Sequence, residues 1–558
     1  MARTSSAVLE DGAKGGAAAP ANATARRKQI QSVVLLLFAL GALSVVVRVA
    51  DLSMRSASRV ATPLKAKSNA SVVTEESPKM KAARLEQLAA MVEAVGVQRP
   101  AHQYDSKTRE MCFRERDVGM LEAIRGSAKE FCGQASAADG ALPKRSPSAA
   151  TTVTLYRVRG GIKSAVLENV MFNPRLVNCA CKELADHYLA MSEPQRAHDH
   201  LWTPSVADIP DSEATPMSLL CAPKPESVFT DGSDVSTWDF VRHPDAPPNA
   251  SAAVVFEDPV IMIARRDDHN PFFQISYALN AWVMVQALGW DLARTRVLHF
   301  DAGYPSPIDA LHQKLFSDDR PLMEAHQMMG KQLHFKNQVL VAPFELSGPM
   351  MQHLDDEEPC YDSEMLKKFR ELSLTSQGIT PTVVADLAVT KVRPFTVTII
   401  TRKPYDGRKL QRVWLNEDEV VGKMRAEYSG LNVEFRSIDY VLLSLEEQMR
   451  TTLESDLVIG MHGAGMVNVM WARPEAVIVE IFPKERFRWG YRNLCQFLGC
   501  HWHEFRGGED LGDNPTPNTK DKNIPYDEWM AFFHPLFRDA YSVFDEKQRV
   551  LQHQLEGI

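Results

Sequence analysis

The sequence predicts two α/β lobes behind a single N-terminal transmembrane helix, and three observations lead there. Apolar strand-like runs alternate with helical stretches between residues 253 and 341, and again between 395 and 482, the pattern of layered α/β structure. A charge-free run at 30–47 stands alone near the start of the chain. The 558 residues have ordinary globular composition, 45% hydrophobic and 24% charged, which excludes global disorder and a disulfide-stapled mini-protein. The formal charge is −8, from 63 Lys+Arg against 71 Asp+Glu. No polyanion-binding footprint follows from it, so nucleic acid is not an expected partner.

Residues 1–29 are rich in Ala, Gly and Arg and read as a cytosolic tail without structure of its own. As a helix, 30–47 would span about 27 Å, close to the ~30 Å hydrocarbon core of a bilayer. A cleaved signal peptide would start earlier and end in small residues, whereas this run ends in Val-Val-Val-Arg48. A membrane anchor is therefore expected. Arg26, Arg27 and Lys28 precede it and only Arg48 directly follows, which places the N-terminus in the cytosol. Over twenty residues the balance reverses, with Arg48, Arg55, Arg59, Lys65 and Lys67 on the far side. Two further features put the body in a lumen. The glycosylation acceptors at Asn69 and Asn249 lie beyond the span, and so do all eight cysteines.

Residues 48–104 form a stem with a short helix after Ser77-Pro78, in which Leu85, Leu88, Val92 and Val95 recur at heptad-like spacing. Pairing between two chains, a homo-oligomer through the stem, and packing on the body both fit that pattern. An N-terminal, acceptor-binding lobe is expected over 105–385, with strands at 253–256, 260–263, 296–300 and 338–341. Its helix starts at Asn270-Pro271 and carries Ile275, Leu279, Trp282 and Val283. A C-terminal, donor-binding lobe is expected over 386–525, with strands at 395–401, 433–435, 457–461 and 476–482. Residues 526–558 read as a closing C-terminal helix.

The strongest chemical signal is the turn His462-Gly463-Ala464-Gly465, between an apolar strand and an apolar stretch that reads as a helix up to Arg473-Pro474. Glycines there let the backbone approach a ligand, and the first helical N–H groups favour phosphate. His462 is placed to donate to a diphosphate oxygen; glycine used only for tight packing is the alternative. Glu480 lies near the carboxyl end of the next strand, where α/β sheets place ligand groups. It reads either as a ribose-binding carboxylate or as the partner of a cation at the sheet rim. Arg402 follows the strand 395–401 and can neutralise phosphate through its planar fork. Asn416 and Glu419 read as an N-cap and its reciprocal acid. No Asp-x-Asp closes an apolar strand, so no metal or other cofactor is expected. His198-Asp199-His200, near His187, lies in polar, loop-like sequence. No Gly-x-Ser-x-Gly elbow of an α/β hydrolase occurs.

His462-Gly-Ala-Gly with Asn468, Pro474 and Val477-Ile-Val-Glu480 resembles the signature of the family 61 glycosyltransferases. Arg402, followed by Arg412-x-x-x-Asn416-Glu417-x-Glu419, is similar to that family's second motif. The resemblance is specific over 395–500 and looser over 250–395. It implies a GT-B-like architecture of two Rossmann-type lobes and an inverting mechanism without an essential metal. It also implies a UDP-sugar donor, a glycan or glycoprotein acceptor and a type II topology in the Golgi or ER. Within the family the pattern looks most like members that transfer xylose from UDP-xylose, in β-1,2 linkage, to the core mannose of N-glycans. Members that add O-linked N-acetylglucosamine share the motifs. The donor-site residues implied are Arg402, His462, Gly463, Ala464, Gly465, Asn468 and Glu480.

The chain departs from the family at the helix facing the cleft. There Asn270 matches, but Phe273 and Tyr277 stand at the family's His and Asp positions. Inversion needs a base within reach of the acceptor hydroxyl. Asp267, Asp268 and His269, together with Asn270, are the nearest substitutes, and a solvated loop is the alternative. The same departure admits a second reading, a sugar-nucleotide-binding partner subunit without turnover.

Overall fold

The computed structural model describes residues 105–133, 151–158 and 162–172, short strands at 217–219, 222–223 and 240–242, and most of 254–556. Breaks in the last stretch include 264, 266–269, 300–305, 351–359, 381–391 and 404–409. The tail, the anchor at 30–47, the stem, Asn69, Asn249 and His198-Asp199-His200 lie outside the described residues. Among the described residues no helix is long and apolar enough to cross a membrane.

The N-terminal lobe is built on one mixed sheet. Strands β1 (Lys129–Gly133), β2 (Thr152–Arg157) and β3 (Lys163–Phe172) form an antiparallel meander. Short strands β4 (Met217–Leu219), β5 (Ala222–Pro223) and β6 (Phe240–Arg242) flank it. The parallel part contains β7 (Val254–Phe256), β8 (Val260–Ile263), β9 (Arg296–His299), β10 (Met323–Glu324) and β11 (Leu333–Val341), ordered β10-β9-β8-β11. The expected strands at 253–300 and 338–341 are present. The antiparallel meander makes this lobe more than a Rossmann unit, because β11 pairs with β3 in the opposite sense.

Between β8 and β9 runs the cleft helix, Pro271–Leu288. Asn270 caps it by accepting from the Phe272 N–H at 3.2 Å, Pro271 occupies its first turn, and Gly289 ends it at φ 69°. Almost every residue from Phe272 to Ala287 is buried. The helix is apolar on all sides because it lies inside the core.

The C-terminal lobe is the simpler object. Strands β12 (Phe395–Ile400), β13 (Val433–Ile438), β14 (Leu457–Met461), β15 (Val477–Ile481) and β16 (His501–Phe505) make one wholly parallel sheet ordered β13-β12-β14-β15-β16. In chain order this is 2-1-3-4-5, a doubly wound arrangement whose direction reverses between β12 and β14. Central strands of such a sheet are buried on both faces and read as unbroken apolar runs, and β12, β14 and β15 are buried at every position. A two-stranded ribbon, β17 (Glu509–Leu511) with β18 (Asp521–Asn523), follows.

Two expectations are corrected, and the expected C-terminal helix is present. The stretch after the glycine turn is a 3₁₀ segment, Ala464–Trp471, not an α-helix. At about 2.0 Å per residue it covers more distance than an α-helix of equal length, which suits the short crossover from β14 to β15. Asn416 starts the helix Glu417–Glu427 without a side-chain cap. Its amide is occupied by Ile524 and Trp414, and Glu419 pairs with Lys423. The C-terminal helix, Tyr526–Glu556, lies along the sheet of the C-terminal lobe. Trp529, Phe533, Phe537 and Phe544 share one core with Phe395, Val397, Trp414, Tyr428 and Phe435.

A second core continues from the cleft helix through the linker helix Glu364–Ser376 and the 3₁₀ segment to the helix Gly490–Leu498. The disulfide Cys112–Cys360 ties the helix Ser106–Arg116 to the approach of the linker helix, and Cys495 pairs with Cys500. At the amino end of β14, Asp456 receives Arg393 in bidentate form and also Arg473, which pins the start of the sheet.

Phe537 is 1% exposed and its ring meets those of Phe395, Tyr428, Phe435, Phe533 and Tyr541. Phe537→Ala should destabilise the protein by about 3–5 kcal/mol in chemical denaturation. A loss under ~1 kcal/mol would mean that the C-terminal helix is not part of the C-terminal lobe's core.

Candidate active site

In a doubly wound sheet, ligands bind beyond the carboxyl ends of the strands, at the point where strand order reverses. Here that point lies between β12 and β14. Arg402 follows β12, and Thr401 is anchored by donating its N–H to Ile438 O. His462 and Gly463 follow β14, and the His462 N–H is held by Ile481 O at the end of β15. The sheet therefore brings together residues sixty positions apart in the chain.

Gly463 is required by close approach. A Cβ there would fall 2.2 Å from Arg402 Nη1 and 3.6 Å from Arg412 Nη2, so both guanidinium groups lie against the turn. Gly465 is under no such constraint, its nearest neighbour being Ile400 Cγ2 at 3.7 Å from that position. Ala464 is half-buried. Asn468 is buried inside the segment, where its amide donates to Gly465 O and Gln448 Oε1. It stitches the turn.

The deepest pair in the site is His462 with Glu480. Gly460 lies opposite Glu480 in the β14–β15 ladder, so His462, two residues on, lies over the carboxylate. The Nδ1–Oε1 distance is 2.6 Å, and Trp502 Nε1 donates to the other oxygen at 2.8 Å. Both Glu480 oxygens thus have partners other than the Arg or Lys that one sequence reading envisaged. Phe482 stacks on the imidazole at 4.7 Å, and Tyr491 meets it at 6.0 Å.

The electrostatics of the pair follow from burial. Desolvation pushes the Glu480 carboxyl up to about 8, with Glu504 adding to the rise and the Trp502 N–H and Arg506 opposing it. Desolvation, then Arg412, Arg486, Arg488 and Arg402, hold His462 well below the usual imidazole range. Near neutral pH one proton therefore occupies the short Oε1–Nδ1 bond. The neutral imidazole's single proton is then on Nε2, from which it donates outward.

Arg412, Arg486, Arg488 and Tyr491 were not singled out as site residues from the sequence. Burial, then neighbouring Arg402, lower Arg412 to about 10. Its backbone sits in the left-handed region at φ 60°, a conformation that costs about 1–3 kcal/mol and persists only where the surroundings impose it. Those surroundings are the 413–415 segment, stitched to β18 by Val413 N–Asp521, Lys522 N–Val413 O and Leu415 N–Lys522 O. Glu417, at the carboxyl ends of β12 and β13, is raised to about 7 by burial against Thr401, Ser437 and Lys403, which oppose the shift.

The N-terminal lobe meets this site through rings. Phe272, in the first turn of the cleft helix, packs edge-on against Tyr491 at 5.8 Å. Asn270 is spent on its cap, Phe273 is half-buried, and Tyr277 is buried. Asp267, Asp268 and His269 lie outside the described residues. One group of potential metal ligands occurs among the described residues: His299, Asp309 and His312. There the two imidazoles bond each other at 3.1 Å and Asp309 receives Arg265, so protein partners already engage them.

Residues 354–479 match the family model described as Glycosyltransferase 61. A 172-residue stretch is 32% identical to the EGF domain-specific O-linked N-acetylglucosamine transferase of Gallus gallus, covering 30% of each chain. The Mus musculus protein of that name is 29% identical over 201 residues, 35% of this chain and 34% of its own. The Drosophila melanogaster protein is 27% identical over 241 residues, 42% and 43%. The alignments thus span between 30% and 43% of the length of these relatives. The resemblance drawn from Arg402, Asn416 and His462 is to the same family, and all three residues fall within the matched stretch.

Nitrogen-15 spectra of the histidine rings test the proton arrangement. His462 should show a protonated Nε2 at pH 7, without imidazolium character, and should change tautomeric state as pH rises through about 8. An imidazolium at pH 7 with an ordinary titration near 6.5 would contradict it.

Proposed function

We propose that this chain is a family 61 glycosyltransferase that transfers a sugar, with inversion, from a UDP-sugar to a hydroxyl of a glycan or glycoprotein. The observation that carries the reading is the convergence of Arg402, Arg412 and the His462 turn at the reversal point of a parallel sheet. In this proposal the donor's diphosphate lies between the two guanidinium groups and the turn, with His462 Nε2–H donating to a phosphate oxygen. Ala464 and Gly465 line the turn, and Asn468 keeps its shape. The acceptor oxygen forms a bond to C1 as the bond from C1 to the phosphate oxygen breaks. The electron pair leaves with UDP, and the arginines and His462 stabilise that charge. The hydroxyl proton passes to a base, for which Asp268 and His269, which precede Asn270 in the sequence, are the proposed residues. Glu480 acts through His462 and Trp502, which supports a positioning role more directly than ribose binding.

Two donor readings have an observation each. The motif pattern resembles xylosyl-transferring members, which favours UDP-xylose and an N-glycan core. The matched relatives are named O-linked N-acetylglucosamine transferases, which favours UDP-N-acetylglucosamine. A panel of UDP-sugars against N-glycan and protein acceptors, read by mass spectrometry, separates them by a pentose or an N-acetylhexosamine gain. UDP binding without turnover on any donor would instead establish the partner-subunit reading that Phe273 and Tyr277 motivate. A Golgi or ER type II topology through residues 30–47, with the body in the lumen, belongs to the same proposal, as does stem-mediated pairing of two chains.

The close approach at Gly463 gives a sharp comparison. Gly463→Ala should weaken UDP binding by about tenfold or more, since displacing Arg402 removes a charge-assisted contact. Gly465→Ala should change it by less than ~2-fold. Titration calorimetry reads both, and equal effects would remove Arg402 from the phosphate site.

A further inference from the structure

Outside the donor site, one charged side chain stands out. Arg370, on the linker helix Glu364–Ser376, is only 8% exposed. Its Nε–H is sealed from solvent without an acceptor, and no carboxylate pairs with it among the described residues. The nearest charges do not compensate. Arg473 opposes it, and that side chain is already committed to Asp456, while Glu371 acts only through space.

Two more buried donors, on this helix and on the segment packed against it, lack partners. Ser373 is fully buried and its hydroxyl is unmatched. It lies three residues beyond Arg370, on the same face of the helix. The linker helix packs against the 3₁₀ segment Ala464–Trp471, whose last residue, Trp471, is fully buried with an unpartnered indole N–H. A guanidinium, a hydroxyl and an indole N–H are all groups that can donate, and the local charge is positive. Native proteins pair nearly all such groups, and a buried cation without a counter-charge is strongly unfavourable.

We propose that Arg370, with Ser373 and Trp471, binds a small monovalent anion, chloride, between the linker helix and the 3₁₀ segment. The site is separate from the donor diphosphate site. Its anion would clamp the far end of the segment that begins at the phosphate turn, and it binds whether or not a donor is present.

The test is thermal unfolding of the full-length chain in chloride against gluconate at constant ionic strength, so that screening is equal. Chloride should raise Tm by roughly 2–4 °C in a saturable way. Ser373→Ala should shift the half-saturating chloride concentration upward by about threefold or more, and Arg370→Met should abolish the response. Bromide-soaked crystals should show an anomalous peak beside the Arg370 guanidinium. Identical Tm in both salts at every concentration, or a chloride response that survives Arg370→Met, would overturn the site. Should Arg370→Met not fold, Ser373→Ala and the bromide peak decide: an unshifted half-saturation with no peak at Arg370 means ordered water fills the layer.

Discussion

The reversal of strand order between β12 and β14 is the constraint on which the rest of this protein's chemistry depends. Because these neighbours run parallel and their following loops diverge, Arg402 and His462 emerge side by side. Because β15 is the next strand, its Glu480 comes to lie beneath His462. Because β16 follows, Trp502 reaches the second carboxylate oxygen. A single topological fact thus brings together Arg402, the His462 turn and the Glu480 carboxylate paired with it.

Gathering cations in a buried place is unfavourable, and the structure offsets this locally. Arg412 is lowered by burial and by the neighbouring Arg402, and it adopts a left-handed backbone. Rigid surroundings hold it there: the ribbon strand β18 stitched to residues 413–415, and the aromatic face of the C-terminal helix beneath. A stack from His462 through Phe482 to Arg506 and Phe487 extends from the buried pair towards solvent, with the guanidinium 4.7 Å and 4.4 Å from the two ring centroids. These contacts fix the imidazole plane, so the direction of its outward N–H is set before any ligand arrives. Pre-set donors of this kind are what electrostatic catalysis requires.

Much of this was legible in the sequence, for reasons that can be named. The central strands of the C-terminal lobe are mostly apolar runs because both faces are covered, and Gly463 and Arg402 stand just beyond their carboxyl ends. The N-terminal meander was not legible, since 129–172 shows no such runs and its strands pair antiparallel. Arg412, Arg486, Arg488 and Tyr491 were missed because nothing in a local window shows that a strained turn and a later loop converge on His462. Asn416 and Glu419 misled for the opposite reason. Their spacing imitates a capping box, but the Asn416 amide is committed to Ile524, over a hundred residues away. Glu480 was placed correctly at the sheet edge, yet its partners proved to be His462 and Trp502.

The central claim is that the proton shared by Glu480 and His462 keeps an N–H directed at the donor diphosphate. Glu480 has a raised carboxyl pKa, so the proton is present below about 8 and lost above it. Loss removes the outward donor and adds negative charge where an anion must bind. UDP affinity measured calorimetrically from pH 6 to 9.5 should therefore be flat below about 8 and fall towards tenfold per pH unit above it. Glu480→Gln, whose amide can donate to Nδ1 without titrating, should flatten the profile. A wild-type profile that stays level through pH 9.5, or a Glu480→Gln profile that falls like the wild type, would contradict the account.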